Sequence, residues 1–491
     1  MNAVLISTYE LGHQPFGLAS PAAWLRARGA TVTCLDLSRE PLRPEVIRDA
    51  HLIAFYVPMH TATRLAAQLV APVRELNPRA HLCFYCLYAP VNEEYLRALG
   101  VDTIIGGEFE EKLARLVDHL QEPGHVRGPA DEIASRAFAA EPVISLDRLK
   151  FLIPDRSGLP PLSDYAHLLM PDGERRIAGY TEASRGCKHF CRHCPIVPVY
   201  NGVFRIVPRE IVLEDIRRQV DAGAAHIAFG DPDFFNGPAH ALSIVEALHR
   251  EFPRVSYDVI IKIEHLLRSR TEDLAALRDT GCLFVTSAVE SLDDSVLARL
   301  DKGHTRADFL SVVQRFRTLG LVLQPTFVPF TPWTTLAGYR DMLEVIAAHN
   351  LIENVAPIQL GIRLLIPAGS RLLELEEVRD LVDPFEPSAL VYPWRHVDPL
   401  LDPLAARVQE LAAEGDKLRR SRTETFALIW RAACGDSQPP ARAVQPAIPH
   451  FSEPWYCCAE PTQEQFVTIA AARQPETQEP AAIATGADAL P

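Results

Sequence analysis

Apolar runs alternate with amphipathic stretches along the first 120 residues, and this rhythm predicts a layered α/β domain. Short apolar runs are typical of buried strands, whereas the stretches between them have the 3.6-residue period of helices. Strands that alternate with helices over short connections favour a parallel, doubly wound sheet of the Rossmann or flavodoxin type. The predicted strands cover residues 4–7, 31–35, 52–57, 81–87 and 103–105, with helices at 22–28, at 63–76 and up to residue 120.

The same rhythm resumes near residue 177 and repeats about six times. Between the apolar runs, stretches such as residues 211–220 have one apolar face and are predicted to be covering helices. This pattern favours an incomplete parallel barrel, a partial (β/α)6 relative of the TIM barrel, with reactive residues at the C-terminal strand ends. Its strands are predicted at residues 177–183, 226–229, 256–261, 283–289, 322–327 and 357–365.

Changes in composition predict the domain boundaries. Prolines punctuate residues 123–176, which are predicted to be a linker between a first domain (1–122) and the barrel (177–375). Residues 376–450 have the pattern of a helical C-terminal extension. Residues 451–491 end in a stretch rich in Ala, Gln, Glu, Thr and Pro, which predicts a flexible, disordered tail.

Composition narrows the class of protein. The chain of 491 residues is 48% hydrophobic and 23% charged, as in soluble globular proteins. A net charge of −14 argues against an extended nucleic-acid partner, which needs clustered Lys and Arg. No apolar run reaches the roughly 18–20 residues that span a bilayer, so no membrane partner is expected. The first residues have no basic segment or cleavage site of a signal peptide, and we expect a cytoplasmic protein.

Three cysteines form the most informative motif. Cys187, Cys191 and Cys194 are spaced C-x3-C-x2-C and directly follow a predicted strand. Thiolates are soft ligands that suit iron–sulfur clusters or zinc. A four-iron cluster normally has four thiolates, and no fourth cysteine follows at short range, so one iron would stay open. A zinc site with His189 or His193 as the fourth ligand is the alternative.

The motif resembles that of radical S-adenosylmethionine (SAM) enzymes, and the resemblance extends over about residues 179–375. It implies a [4Fe-4S] cluster whose open iron is chelated by the amino and carboxylate groups of SAM. An electron from the cluster then cleaves SAM to methionine and a 5′-deoxyadenosyl radical. The resemblance also implies an electron donor of the flavodoxin or ferredoxin type, and a small-molecule or peptide substrate that the sequence does not identify.

Further residues match positions that bind SAM in this family. Gly230, Asp231 and Asp233 follow the second barrel strand, where the family has a Gly-Gly-Glu-like motif that holds the SAM amino group. Glu290, at the end of the fourth strand, is similar to a family glutamate that accepts hydrogen bonds from SAM. His193 occupies the position where relatives often have an aromatic residue over the adenine.

The sixth predicted strand supplies two more candidates. Gly361 matches the position where relatives contact adenine through the backbone. Arg363 lies on an otherwise apolar strand and is costly to bury unpaired, so we expect it to meet a carboxylate or the ligand.

The first domain resembles the cobalamin-binding-type domain that precedes the barrel in many radical SAM enzymes. Bound cobalamin is therefore a candidate cofactor, although the family's D-x-H-x-x-G signature is absent. The glycine pair expected after the fourth strand is replaced by bulky residues at 83–88. Such side chains obstruct the close backbone approach that a nucleotide tail needs.

The C-terminal Cys457-Cys458-Ala459-Glu460-Pro461 resembles the ending of the radical SAM family named for its CUAEP or CCAEP tail, where U is selenocysteine. Selenocysteine at the second position implies a reactive thiol at Cys458. The pair is predicted to be catalytic, either transferring a hydrogen atom or an electron, or ligating a second cluster or metal. An aromatic-and-cysteine plug in a groove is the structural alternative.

These patterns together predict a radical SAM enzyme with an unknown substrate and a redox-active C-terminal cysteine pair. One alternative is a cobalamin-dependent radical SAM methyltransferase. The other is a non-catalytic redox protein that binds metal through its thiols.

Overall fold

A computed structural model of the chain describes residues 1–122, 143–437, 446–453 and 460–471. Its first unit is built on a six-stranded, all-parallel sheet in the order β2-β1-β3-β4-β5-β6. The order of β1 to β5 is that of flavodoxin-like folds, so the predicted doubly wound sheet is confirmed. The strands are β1 Asn2–Ser7, β2 Thr31–Asp36, β3 Leu52–Tyr56, β4 His81–Tyr85, β5 Thr103–Gly107 and β6 Ile144–Ser145.

Helices cover both faces of this sheet because both faces of its strands are apolar. Val4 and Ile6 of β1 belong to one hydrophobic cluster, whereas Ala3 and Leu5 belong to another on the opposite face. The helices are α1 Phe16–Ala27, α2 Pro44–Arg48, α3 His60–Ala67, α4 Val70–Leu76, α5 Tyr88–Val91, α6 Glu93–Ala98 and α7 Glu110–Leu120.

The single helix predicted over residues 63–76 is two helices, α3 and α4, in the structure. Pro72 explains the interruption, because proline has no N–H to donate and its ring clashes with the carbonyl four residues earlier. Proline is favoured in the first turn of a helix, which is its position in α4.

The second unit contains the curled half-barrel sheet, in the order β14-β13-β12-β11-β8-β7-β15. Strands β8 and β11 to β14 are parallel, and helices connect them. The strands are β7 His167–Leu169, β8 Arg175–Thr181, β9 Ser184–Gly186, β10 Phe204–Ile206, β11 His226–Phe229, β12 Ser256–Ile260, β13 Cys282–Glu290 and β14 Leu323–Phe327, with β15 His450–Phe451 antiparallel to β7 at the edge.

Helices connect the strands of the half-barrel. They are α8 Val197–Tyr200, which contacts the first unit, α9 Arg209–Asp221, α10 Pro238–Glu251, α11 Ile263–Arg268, α12 Thr271–Asp279, α13 Asp294–Leu300, α14 Arg306–Leu319 and α15 Leu336–Ala348. The structure therefore confirms five of the predicted barrel strands, with boundaries that differ by at most two residues.

The predicted sixth strand, residues 357–365, differs from the expectation. Pro357–Leu360 form a 3-10 helix, and the segment joins the sheet only through a parallel bridge between Phe330 and Arg363. Gln409 takes the place of a strand neighbour, because its side chain donates a hydrogen bond to the carbonyl of Gly361 at 2.8 Å. The half-barrel thus closes on the C-terminal extension.

The C-terminal extension is helical, as predicted, and shares the core of the barrel. Its helices are α16 Glu376–Arg379, α17 Leu401–Lys417 and α18 Arg422–Cys434. Phe426, Ile429 and Trp430 of α18 belong to the same hydrophobic cluster as the barrel strands. Among the described helices, none combines the length and the apolar composition needed to cross a bilayer.

Two segments predicted to be linker or tail contain regular structure. β6 and β7 both lie within residues 123–176 and extend the first and second sheets, respectively. A helix, α19 Gln463–Ala471, follows in the predicted disordered tail, because Phe466 and Ile469, three residues apart, pack against the core of the first unit. Residues 472–491 lie outside the described part of the chain.

Candidate functional site

The cysteine loop, residues 187–194, leaves the barrel through the hairpin of β9 and β10. Gly186 ends β9 with a φ of 72°, a left-handed conformation that other residues rarely adopt. A Cβ at this position would lie 2.4 Å from the carbonyl oxygen of Val203, so glycine is required. Later in the loop, the backbone N–H of Arg192 donates to the carbonyl of Leu300 at 2.9 Å. Both ends of the loop are therefore fixed.

The three thiols of the loop differ in exposure. Cys191 is buried, whereas Cys187 and Cys194 are half-buried. Burial raises the pKa of Cys187 to about 11, so a metal must displace its proton on binding. Burial alone would lower the pKa of Lys302, but Glu290 and the nearby thiols of Cys191 and Cys194 raise it. The buried Lys302 ammonium thus lies close enough to Cys191 and Cys194 to stabilise their thiolates.

A second set of donors surrounds Cys187. Ligand atoms of Cys187, His189 and Asp233 lie within 4.8 Å of one another. His265 Nδ1 lies 2.8 Å from Asp233 Oδ2. Burial alone would raise the pKa of Asp233, but its contacts with His189 and His265 lower it below the ordinary value. This set suits a single metal ion and is the observation that keeps the zinc alternative open.

The predicted SAM motif after β11 has a structural partner in the cysteine loop. Asp231 accepts hydrogen bonds from the backbone N–H of Ala183 at 2.9 Å and from the hydroxyl of Ser184 at 2.6 Å. Asp231 therefore braces the segment that leads into the loop, and burial raises its pKa to about 7. A Cβ on Gly230 would lie 1.9 Å from the hydroxyl of Tyr180, so any larger residue here would displace the Tyr180 ring.

Glu290 ends β13 beside the cysteine loop, with a φ of 68°. Its Oε1 lies 3.2 Å from Lys302 Nζ and 3.1 Å from His193 Nε2. Burial alone would raise the pKa of Glu290, but Lys302 and His193 lower it to about 2, so the carboxylate stays ionised. The structure thus brings two predicted SAM-contacting residues together with a lysine near the thiols.

Gly361 and Arg363 have partners in the C-terminal extension instead. Gly361 accepts the hydrogen bond from Gln409 described above. The Arg363 guanidinium pairs with Asp402 and stacks over Trp394, 3.7 Å from the ring centroid. The expectation that Arg363 meets a carboxylate is met by Asp402. A contact of either residue with SAM stays a prediction.

The predicted catalytic pair, Cys457 and Cys458, lies outside the described residues. The described residues on either side contact the first unit. Glu453 forms an ion pair with Arg39 at 3.4 Å, and Glu460 pairs with an arginine and a histidine of α3. Both flanks of the motif are therefore attached to the same unit.

A cavity of about 250 Å³ lies between the two units. The first unit contributes Glu10, His13 and Tyr56 to its wall, and the inner face of the half-barrel contributes Tyr180 and Asp258. Gly186 and Pro195, which flank the cysteine loop in sequence, line the same cavity. A molecule bound there would therefore lie next to the loop.

Arg185 joins the two units at this site, and the sequence analysis did not predict its role. Arg185, immediately before the loop hairpin's glycine, is buried and contacts Glu108 at 3.3 Å, Glu110 at 2.6 Å and Glu182 at 2.8 Å. Burial alone would lower the pKa of Arg185, but these acids raise it. An arginine next to the motif and an acidic turn after β5 were the available signals, and the sequence does not reveal that they meet.

Comparison with known proteins identifies residues 181–332 as matching the radical SAM superfamily model. Hopanoid C-3 methylase from Methylococcus capsulatus is 24% identical over 246 residues, which are 50% of this chain and 45% of that protein. Ribosomal protein uS12 methylthiotransferase RimO from Syntrophotalea carbinolica is 24% identical over 172 residues, or 33% of this chain and 38% of that protein. The chain thus spans less than half the length of both relatives.

Solved structures share the fold of both units. TsrM from Kitasatospora setae, a radical SAM methyltransferase solved with tryptophan and a SAM analogue, superposes with a TM-score of 0.57 over 77% of this chain and 76% of that chain, at 16% identity. OxsB, a cobalamin-dependent radical SAM enzyme solved with aqua-cobalamin, gives 0.61 over 84% of this chain and 67% of that chain, at 14% identity. The two-unit α/β architecture is therefore shared with cobalamin-binding enzymes.

Proposed function

Because residues 181–332 form a radical SAM domain, we propose that this chain reductively cleaves SAM and uses the resulting 5′-deoxyadenosyl radical on a substrate in the cavity between the two units. Cys187, Cys191 and Cys194 would hold a [4Fe-4S] cluster. When bound, this cluster supplies an open iron that chelates SAM and the electron that cleaves it.

The chain's own residues supply position and electrostatics. Glu290 is ionised, and the hydrogen-bond capacity of its carboxylate suits the hydroxyl or ammonium groups of SAM. Lys302 offsets the negative charge of the thiolates. Asp231 fixes the root of the cysteine loop. The cavity walls would exclude water from a reactive radical.

The position of the three cysteines is the main support for the proposed SAM cleavage. Among the described residues, three cysteines on one loop, anchored at both ends, lie beside a buried Glu290–Lys302 pair. Three thiolates leave one position of a four-iron cluster free for a reactant, as a catalytic zinc site does with three protein ligands. A closed structural site would have a fourth protein ligand.

Anaerobic reconstitution tests the proposal. Full-length chain loaded with iron and sulfide is incubated with SAM and dithionite, and 5′-deoxyadenosine is measured. We expect product from the unchanged chain and none from Cys191→Ala. Cys434→Ala, a thiol of α18 outside the motif, should retain activity. A chain that keeps stoichiometric zinc and forms no 5′-deoxyadenosine would instead favour a metal-binding redox protein, the function that the Cys187, His189 and Asp233 set supports.

Cobalamin-dependent methyl transfer is the second candidate, because TsrM and OxsB share the fold. Bulky side chains at the end of β4 disfavour the close approach of a corrinoid. Tyr85 is fully buried, and Cys86 and Tyr88 are buried and line the cavity. The cavity of about 250 Å³ is also smaller than the roughly 300–1,000 Å³ that drug-sized ligands occupy. We derive no step through cobalamin, and absence of a corrinoid absorbance after reconstitution with hydroxocobalamin is expected.

The proposed partners follow from this chemistry. Turnover requires an electron donor of the flavodoxin or ferredoxin type. The substrate is proposed to be a small molecule or a peptide, and the cavity of about 250 Å³ suits a group of the size of a side chain. The net charge of −14 disfavours nucleic acid. Cys457 and Cys458 are proposed to act as thiols during turnover.

A further inference from the structure

The wall of the cavity contains a carboxylate oxygen without a partner. Glu10 follows β1 in the first unit, is 5% exposed and lines the cavity. Its Oε1 accepts a hydrogen bond from the Tyr56 hydroxyl at 3.0 Å, whereas Oε2 has none among the residues that the structure describes. A buried carboxylate oxygen left unpaired costs free energy, so a bound group that donates to it is favoured.

No basic side chain on the described wall is available to neutralise Glu10. The wall has four acids, Glu10, Glu182, Asp258 and Glu453, against two arginines. Arg185 is occupied by Glu108, Glu110 and Glu182. Arg422 donates to the carbonyl of Glu353, and none of the described ion pairs joins it to Glu10. Glu453 pairs with Arg39, and Asp258 lies 2.9 Å from His226, so Glu10 is the one acid of the described wall without an ion pair.

The two histidines on the wall do not alter this balance. Burial lowers the pKa of His13 to about 3 and lowers that of His450, so both are neutral near pH 7. Burial and the neighbouring charge of Glu182 raise the pKa of Glu10. The carboxylate is thus destabilised as an anion while the cavity is empty, and a cation beside it would relieve that cost.

Aromatic rings form another part of the wall. His13 stacks on Tyr180 with ring centroids 4.9 Å apart, and Phe451 meets His13 edge-on at 5.1 Å. Phe284 lies edge-on to Phe451 at 6.1 Å. Aromatic faces accommodate apolar groups and attract cations. An amine with an aromatic or apolar body matches both features.

We propose that the cavity binds a substrate that carries a primary ammonium group, recognised by Glu10 Oε2, with its apolar body against the aromatic wall. This inference deepens the proposed function, on which it rests, by naming the substrate class. The small volume restricts the body to about the size of one amino-acid side chain.

Binding of three probes that share a phenylethyl body and differ in the attached polar group tests the inference. 2-Phenylethylamine, 2-phenylethanol and 3-phenylpropionate are titrated into the reconstituted full-length chain by calorimetry at neutral pH. We expect the amine to bind at least about tenfold more tightly than the alcohol and the acid to bind weakest. Equal affinities, or a preference for the alcohol or the acid, would overturn the inference.

Variants link the preference to one residue. Glu10→Gln should remove the preference for the amine, and Glu45→Gln, an exposed acid of the same unit, should retain it. If circular dichroism shows Glu10→Gln to be unfolded, Glu10→Asp serves instead and should retain the preference at lower affinity. An amine preference that survives in folded Glu10→Gln contradicts the assignment.

The SAM assay separates the two proposals. An unchanged chain that forms 5′-deoxyadenosine but binds the three probes equally overturns the substrate class alone. A chain that prefers the amine but forms no 5′-deoxyadenosine overturns the proposed radical chemistry and supports the ammonium site.

Discussion

Glu290 shows how one residue links backbone strain to the site. A glutamate with a positive φ costs of order 1–3 kcal/mol, and such strain persists only where the surroundings fix it. Here the register between β13 and β14 shifts at this residue, and the carboxylate faces Lys302 and His193. The kink aims the side chain at the cysteine loop and away from the sheet.

Neutralising Glu290 should therefore destabilise the chain. Glu290→Gln leaves the Lys302 ammonium buried without a charge partner, and breaking such a pair typically costs about 3–5 kcal/mol. We expect the free energy of unfolding, measured with denaturant on the metal-free chain, to fall by this order. Glu374→Gln, which breaks the exposed Arg371–Glu374 pair, should leave it unchanged. Equal stability of both variants would contradict the account.

The raised pKa of Glu108 should make the stability of the chain depend on pH. Burial raises its pKa from 4.5 to about 7, although Arg185 opposes the rise. Between these values the folded chain holds a proton that the unfolded chain releases, so the free energy of unfolding falls as the pH rises from about 4.5 to 7. Glu108→Gln should flatten this slope, as measured by denaturation at several pH values. A slope that is the same in the variant would show that Glu108 does not contribute.

For single residues, the sequence predicted which side chains belong to the site better than it predicted which side chains they contact. The cysteine spacing and Glu290 were visible because they match family positions, and Arg363 was visible because it is a charge on an otherwise apolar strand. The partner of Arg363, Asp402, lies 39 positions away, and Glu10 is one of many acids. Contacts of this kind depend on how distant parts of the chain pack together, and a local sequence pattern does not contain that information.

At the scale of helices and strands, two predictions were wrong: the sixth barrel strand and the disordered tail. In both places the structure depends on contacts with residues distant in the sequence. The five barrel strands that pair with another strand over several residues formed where their apolar runs are. Residues 357–365 have the same apolar character, but Gln409 of α17 hydrogen-bonds Gly361 and only a single bridge forms. α19 was missed because its composition resembles a disordered tail, although Ile469 supplies an apolar anchor at 1% exposure.

Ile469 should hold α19 on the first unit. Ile469→Ala removes buried methyl groups, and such changes typically cost about 2–5 kcal/mol where the rest of the structure does not collapse around them. We expect faster amide hydrogen exchange in α19 and in α3, against which α19 packs. Val467→Ala, at an exposed position of the same helix, should not change exchange. Unchanged protection in Ile469→Ala would show that α19 is held by other contacts.

For the whole molecule, Arg185 is the connection between the flavodoxin-like unit and the cysteine loop. Three acids from two units meet one guanidinium, so their mutual repulsion is offset only while the units are docked. The arginine adjoins the glycine that begins the loop. The Arg185 side chain therefore couples the packing of the two units to the conformation of the cysteine loop.

Replacing that arginine should weaken both docking and cluster binding. Arg185→Met leaves Glu108, Glu110 and Glu182 buried without a cation, and we expect the free energy of unfolding to fall by several kcal/mol, about 3–5. Iron retention after desalting should fall as well. Arg28→Met, which removes an exposed pair with Asp118, is the matched control and should change neither. Full iron retention in Arg185→Met would contradict the coupling.

The central claim is that the cluster held by Cys187, Cys191 and Cys194 has an open iron that SAM occupies. Electron paramagnetic resonance of the reconstituted, reduced chain with and without SAM tests it most directly. We expect a reduced [4Fe-4S] signal that changes when SAM is added and is absent in Cys191→Ala. A signal that SAM does not change, or a silent chain containing stoichiometric zinc, would contradict it.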